Sequence, residues 1–101
     1  MDSNVLEIVT WKSKKDVKDS DMIDAIRNMV DELKELDGFC SQTLYKNDNN
    51  IWVDIYYWKT VESAKMSSQN MSEKDSFKAL MALIDTDSVT VEISKPLQSS
   101  L

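Results

Sequence analysis

Histidine does not occur anywhere in the 101 residues. Its absence excludes Ser-His-Asp and Cys-His catalysis and removes the imidazole ligand on which much haem chemistry depends. Cysteine occurs once, at Cys40, so there is no internal disulfide, and with no histidine beside it the usual zinc ligand set cannot be built. A solitary cysteine fits a reducing cytoplasm, and in a strand-like segment it reads as a structural thiol. No apolar run reaches the length of a membrane span, and the opening Met1-Asp2-Ser3-Asn4 is too acidic and polar for a secretory leader. Positive charge is also scarce: 12 Lys and Arg stand against 18 Asp and Glu, for a net charge of −6. That balance argues against nucleic acid or an anionic membrane as partner. The one basic cluster, Lys12, Lys14, Lys15 and Lys18, is offset by Asp16, Asp19 and Asp21 and reads as a solvated loop.

With a single glycine and a single proline, each marks a boundary. Gly38 reads as the left-handed cap of a helix, and Pro96 ends the last strand. The length is that of one domain, expected over residues 1–96 with 97–101 as a short tail.

What the chain does have is concentrated in Ile51 to Trp58, IWVDIYYW. Alternation puts Trp52, Asp54, Tyr56 and Trp58 on one face of a strand and Ile51, Val53, Ile55 and Tyr57 on the other. Neither face is an ordinary solvent face, so both should be covered. Val5 to Trp11 alternates as a first strand. Ser20 or Asp19 caps a helix to about Leu36, with Ile23, Ile26, Met29, Val30, Leu33 and Leu36 at helical spacing. Phe39 to Lys46 is a second strand, joined to the third by an Asn47-Asp48-Asn49-Asn50 turn whose residues tolerate positive φ. Thr60 caps a second helix to about Asn70. Ser72 restarts it with Asp75 as a capping-box partner, and Phe77, Leu80, Met81 and Ile84 form its stripe. Asp85-Thr86-Asp87 breaks that helix, and Val89 to Ile93 alternates as strand four.

The order βαββαβ predicts an α+β, ferredoxin-like antiparallel sheet with both helices on one face. The aliphatic set, Leu6, Ile8, Ile51, Val53, Ile55, Val89, Val91 and Ile93, is expected under the helices. The opposite face then carries Trp11, Trp52, Asp54, Tyr56, Glu7 and Glu92, together with Trp58. An apolar patch of that kind calls for a partner, and a twofold homodimer packed sheet against sheet supplies one. Glu7, Asp54 and Glu92 are expected together on that face. They would act as a carboxylate base of raised pKa, as a divalent-cation site, or as hydrogen-bond partners of Lys, Tyr and Trp at the interface. The six methionines read as adaptable core filler.

The segments VLEIVTWK, DGF, WVDIYYWKTVESAK and FKALMALIDTDSV resemble the antibiotic-biosynthesis-monooxygenase-like group of the dimeric α+β barrel superfamily, over about Val5 to Ile93. The resemblance implies a homodimeric barrel with a cleft between helices and sheet that takes flat aromatic molecules. It implies either cofactor-independent oxygenation of a small aromatic or quinol-type molecule, with no cofactor, or a binding module without chemistry. Trp58 matches a tryptophan that lines the cleft in haem-degrading relatives, and Phe77 and Met81 would form the opposite wall. Met81 stands where that branch has its iron-ligating histidine, which argues against haem degradation. Ser76 stands where small quinol-type relatives place a histidine. Alternation puts Trp58 on the dimer face and the resemblance puts it in the cleft. A bulge at the strand end would turn it over and exchange it with Tyr57.

Overall fold

The computed structural model describes residues 4–100. The elements are β1 (Val5–Ser13), α1 (Asp19–Leu33), β2 (Phe39–Lys46), β3 (Trp52–Trp58), α2 (Val61–Met71), α3 (Asp75–Met81) and β4 (Ile84–Ser94). All three strand pairings are antiparallel, and the order across the sheet is β2-β3-β1-β4. This is the expected ferredoxin-like α+β plan, with the second helical region divided into α2 and α3.

The β2–β3 hairpin fixes the geometry of the site. Asn50 takes φ of 63°, the conformation the Asn-rich turn was expected to provide. Asn47 Oδ1 accepts from the backbone N–H of Asn49 at 2.9 Å and of Ile51 at 3.1 Å. From that turn the register runs Lys46↔Trp52, Leu44↔Asp54, Gln42↔Tyr56, with an irregularity between Phe39 and Ser41. On the other side of β3, Glu7 lies opposite Tyr56 and Val5 opposite Trp58.

The face assignment drawn from the sequence is reversed on β1 and β3. Val5, Glu7, Trp11, Trp52, Asp54, Tyr56 and Trp58 are all buried within the single chain, and the apolar ones share one core with Met22, Ile26, Met29 and Leu33 of α1 and Ala64 of α2. Leu6, Ile8, Val53 and Ile55 are only half-buried on the opposite, helix-free side, where Tyr57 and Tyr45 are exposed. The three tryptophans therefore form the floor of the helix–sheet core. Burying a large aromatic side chain is worth about 1.5–3 kcal/mol, so the bulkiest residues go where helices can cover them. Glu92 parts company with the other acids, because it lies opposite Ile8 and so faces away from Glu7 and Asp54.

Several local expectations also change. The α1 helix ends at Leu33, and single turns closed by Glu35 N–H to Glu32 O and Leu36 N–H to Leu33 O carry the chain onward. Gly38, at φ of 85°, thus serves the turn into β2 rather than the helix cap. It also permits a close approach, since a Cβ there would sit 2.6 Å from Ser63 Cβ. Ile23 is 39% exposed instead of core. Ser72 does not cap α3, which starts after Lys74, whereas Thr60 caps α2 as expected by accepting from Ser63 N–H at 3.0 Å. Ile84 belongs to β4, opposite Ser13. Between Lys12↔Asp85 and Thr10↔Thr90, β4 bulges over residues 86–89, held by Lys12 N–H donating to Ser88 Oγ at 2.8 Å.

Candidate functional site

Two acids sit side by side on the buried face of the sheet, each held by a neighbouring strand. Asp54, 1% exposed, accepts at Oδ1 from Gln42 Nε2 at 2.5 Å and at Oδ2 from the Tyr56 hydroxyl. Glu7 Oε1 accepts from Trp58 Nε1 at 2.9 Å. Every partner follows from the register, because Gln42 and Glu7 flank Tyr56 on either side.

Burial dominates their acid–base behaviour. It pushes Asp54 up to about 6, against the pull of the Tyr56 and Gln42 hydrogen bonds. Burial raises Glu7 as well; the Trp58 hydrogen bond opposes that rise and the charge of Asp54 adds to it. The Tyr56 phenol is held well above its ordinary value by burial and by the two adjacent carboxylates. Tyr56 thus keeps its proton and serves as a hydrogen-bond donor, and Asp54, at about 6, is placed to change protonation near neutral pH.

A cleft of about 470 Å³ opens between α1 and β2, beside this pair. Ile23, Ile26 and Val30 form its helix wall, and Phe39, Gln42 and Leu44 its sheet wall. Arg27, Asp31, Lys34, Cys40 and Ser41 complete the lining, all of them exposed. Arg27 pairs with Asp24 at 3.4 Å and Lys34 with Asp31 at 3.7 Å, both in solvent, where such pairs contribute about 0–1 kcal/mol and leave the side chains free to move. At the start of α1, Asp19 bridges to Lys46 of β2 at 2.8 Å, and Lys46 Nζ lies 5.1 Å above the Trp52 ring. Among the described residues, Gln42 is the one that both lines the cleft and bonds to Asp54.

The residues singled out from the sequence separate into three places. Trp58, fully buried, is on the helix-covered face without any reversal of the strand. It lies behind the cleft, with the Phe39 ring edge-on at 5.6 Å between them, and stacks near Tyr56 at 6.3 Å. Tyr57 points to the open face. Phe77 and Met81 are half-buried on α3 against the core, and Ser76 donates to Glu32 Oε2 of α1 at 2.6 Å, fastening α3 to α1. None of Trp58, Tyr57, Ser76, Phe77 and Met81 lines the α1–β2 cleft. Of the six placed at a dimer face, Glu7, Trp11, Trp52, Asp54 and Tyr56 are beneath the helices and only Glu92 is on the open side. The indole N–H groups of Trp11 and Trp52 are buried without an acceptor among the described residues.

Gln42 was not anticipated. In FCSQTLYK it resembles any polar residue on a solvent face. Counting back from the Asn47–Asn50 turn places it two residues from the partner of Asp54, on the same face, and that count was the available signal.

Among solved structures, SnoaB, a cofactor-independent oxygenase from Streptomyces nogalater, matches over 97% of both chains with a TM-score of 0.80 at 14% identity. A protein from Bordetella bronchiseptica provisionally assigned as an antibiotic biosynthesis monooxygenase matches over 95% of this chain and 99% of its own, with a TM-score of 0.81 at 11% identity. The fold is that of the antibiotic biosynthesis monooxygenases. A third example, from Nitrosomonas europaea and with the same provisional assignment, covers all of this chain and 97% of its own at a TM-score of 0.77 and 14% identity. No protein-family model and no curated protein matches the sequence. The monooxygenase-like fold is thus carried by a sequence that shares about one residue in seven with SnoaB.

Proposed function

We propose that the α1–β2 cleft binds a small aromatic phenol or hydroquinone and that the protein oxygenates it without a cofactor, with Asp54 as the base. The observation that carries this reading is a buried carboxylate, poised at about 6, joined by one hydrogen bond to a wall of the cleft. In the reacting complex the ligand hydroxyl takes the place of the Gln42 amide on Oδ1, and Asp54 removes its proton. The phenolate passes one electron to O2. Superoxide and the phenoxyl radical then join at a ring carbon bearing hydrogen. The peroxide so formed loses that hydrogen as its O–O bond breaks, leaving a carbonyl. Both hydrogens and one oxygen atom leave as water, so phenol and O2 give quinone and water. SnoaB, of the same fold, is a cofactor-independent oxygenase, which supports the class of reaction.

The active unit in this reading is a homodimer in the cytoplasm. Its interface is the helix-free face of the sheet, where Leu6, Ile8, Val53 and Ile55 are half-buried and Tyr45 is 54% exposed.

Oxygen consumption measured with a panel of hydroquinones and polyketide phenols tests the chemistry. Uptake that depends on the protein and is lost in Asp54→Asn is the expected result, and no uptake across the panel refutes catalysis. A second reading is a ligand-binding module without turnover. It is favoured by the near-complete burial of Asp54, both of whose oxygens are already occupied. It predicts saturable quenching of tryptophan fluorescence by the same compounds with no oxygen consumed.

A further inference from the structure

We infer that Gln42 is the specificity-determining residue of the cleft: its amide presents a hydrogen-bond acceptor to the ligand when Asp54 is ionised and a donor when Asp54 is protonated. This rests on the reading of the α1–β2 cleft as the ligand site and names the class of ligand it selects. Before any displacement from Asp54, the incoming molecule meets the free end of that amide.

The geometry restricts where a proton on Asp54 can go. Ionised Asp54 accepts Nε2–H of Gln42 at Oδ1 and the Tyr56 hydroxyl at Oδ2. With one Nε2–H so engaged, the carbonyl Oε1 of Gln42 is the acceptor free for a ligand in the cleft that Gln42 lines, beside the second Nε2–H. A proton on Oδ2 would face the Tyr56 O–H. Tyr56 would have to turn and bury its own hydrogen, in a residue only 5% exposed, with no other bond seen there. Leaving a buried donor unmade is the costly outcome. A proton on Oδ1 meets only the Gln42 amide. That amide answers by a half-turn, so that Oε1 accepts from Asp54 and the NH2 group faces the cleft, where ligand or water satisfies it. The half-turn strands no buried group, so protonation takes the Oδ1 side.

The charges around the switch are few. Glu7 approaches from β1, with Oε1 held by the Trp58 indole, and Tyr56 shares β3 with Asp54. From α1, Arg27, Asp31 and Lys34 line the cleft that Gln42 faces, as does Cys40 on β2. The position of Asp54, near 6, puts the inversion within reach of ordinary buffers. At neutral pH and above, the cleft selects hydrogen-bond donors, neutral phenols and enols. In mild acid it selects acceptors, ketones and quinones. Substrate and oxidised product of the proposed reaction fall on opposite sides of that divide.

The test pairs a spectroscopic readout with two probes. In 15N–1H spectra the Gln42 side-chain amide should shift with a single midpoint shared by the Asp54 carboxyl carbon, and the shift should vanish in Asp54→Asn. Binding of 1-naphthol (donor) and 1-acetonaphthone (acceptor only) should reverse in preference by about fivefold to tenfold across that midpoint, the worth of one net hydrogen bond. Gln42→Leu should abolish the reversal with the fold intact. An amide indifferent to the Asp54 titration overturns the inference, and so does a naphthol preference that stays constant with pH. If neither naphthalene binds at any pH, it is the cleft reading that fails. The amide spectrum, which needs no ligand, still decides whether the switch exists.

Discussion

Replacing Asp54 by asparagine should change the protein's stability by an amount that depends strongly on pH. Folding moves this carboxyl from 3.8 to about 6, chiefly by burial. The folded state therefore holds its proton more tightly than the unfolded chain does. Below 3.8 both states are protonated and burial of the charge costs nothing. As pH rises through the interval the penalty grows, and above 6 it is complete. At about 1.36 kcal/mol per pH unit the full penalty is about 3 kcal/mol. Asparagine is neutral throughout and escapes it, and with the Gln42 amide half-turned its NH2 donates to Gln42 Oε1 while its carbonyl keeps the Tyr56 hydroxyl. Asp54→Asn should therefore be about 3 kcal/mol more stable than the parent at about pH 7.5 and only about 1 kcal/mol more stable at about pH 4.5. Urea denaturation of both proteins at fixed concentration would measure this, and the quantity to follow is the difference between them, which should move by about 2 kcal/mol over that range. A difference constant with pH, or one that grows toward acid, would show that Asp54 is not buried as a strained carboxylate.

Three other outcomes follow from the packing. Trp58→Phe removes the donor to Glu7 and leaves a void, so it should cost about 2–4 kcal/mol at neutral pH. The loss should shrink in acid, where Glu7 is neutral, and urea melts at two pH values would show it. Gly38→Ala meets a positive φ and the Ser63 side chain together, for about 2–5 kcal/mol, but only about 1–2 kcal/mol when measured against Ser63→Gly, which clears the space. Equal losses in both backgrounds would rule out the clash. Ile55→Glu on the open face should convert a dimer into an 11.6 kDa species in sedimentation while keeping the circular dichroism of the fold; a parent that already sediments at that mass refutes the dimer.

The element order and the hairpin were readable because their signals are local. Alternation marks a strand and Asn-rich residues mark a turn, whatever lies around them. Which face of β3 the helices cover is a different kind of fact. Both faces are apolar, so hydrophobicity does not choose between them, and Glu7 and Asp54 argue for the exposed side when each is considered alone. They are tolerated inside because Gln42, Tyr56 and Trp58 supply donors at the right register, and three of those five residues lie on one strand while two arrive from its neighbours. The apparent conflict over Trp58 arose from the same error. Alternation and resemblance agree on the face of Trp58 once the aromatic face is the covered one, but Trp58 stands behind the cleft and not in its lining. The cleft was harder to anticipate. Its walls come from α1 and β2, and Gln42 stands out only when the hairpin register is carried five residues back from Asn47 of the turn. Ile84 was assigned to a helix because its spacing suits one; its pairing with Ser13 depends on a distant segment.

The bulge in β4 bears on how this protein survives at high concentration. An eleven-residue border strand rich in Val, Thr and Ile is the kind of template on which a second chain can add and polymerise. Here the run is broken near its first third, where residues 86–89 fall out of register with β1 and Ser88 turns back to Lys12. Only short regular stretches remain on either side, too brief to seed a continuous intermolecular ladder. The same four residues that spoil the regularity of the sheet act as a built-in guard against fibre growth.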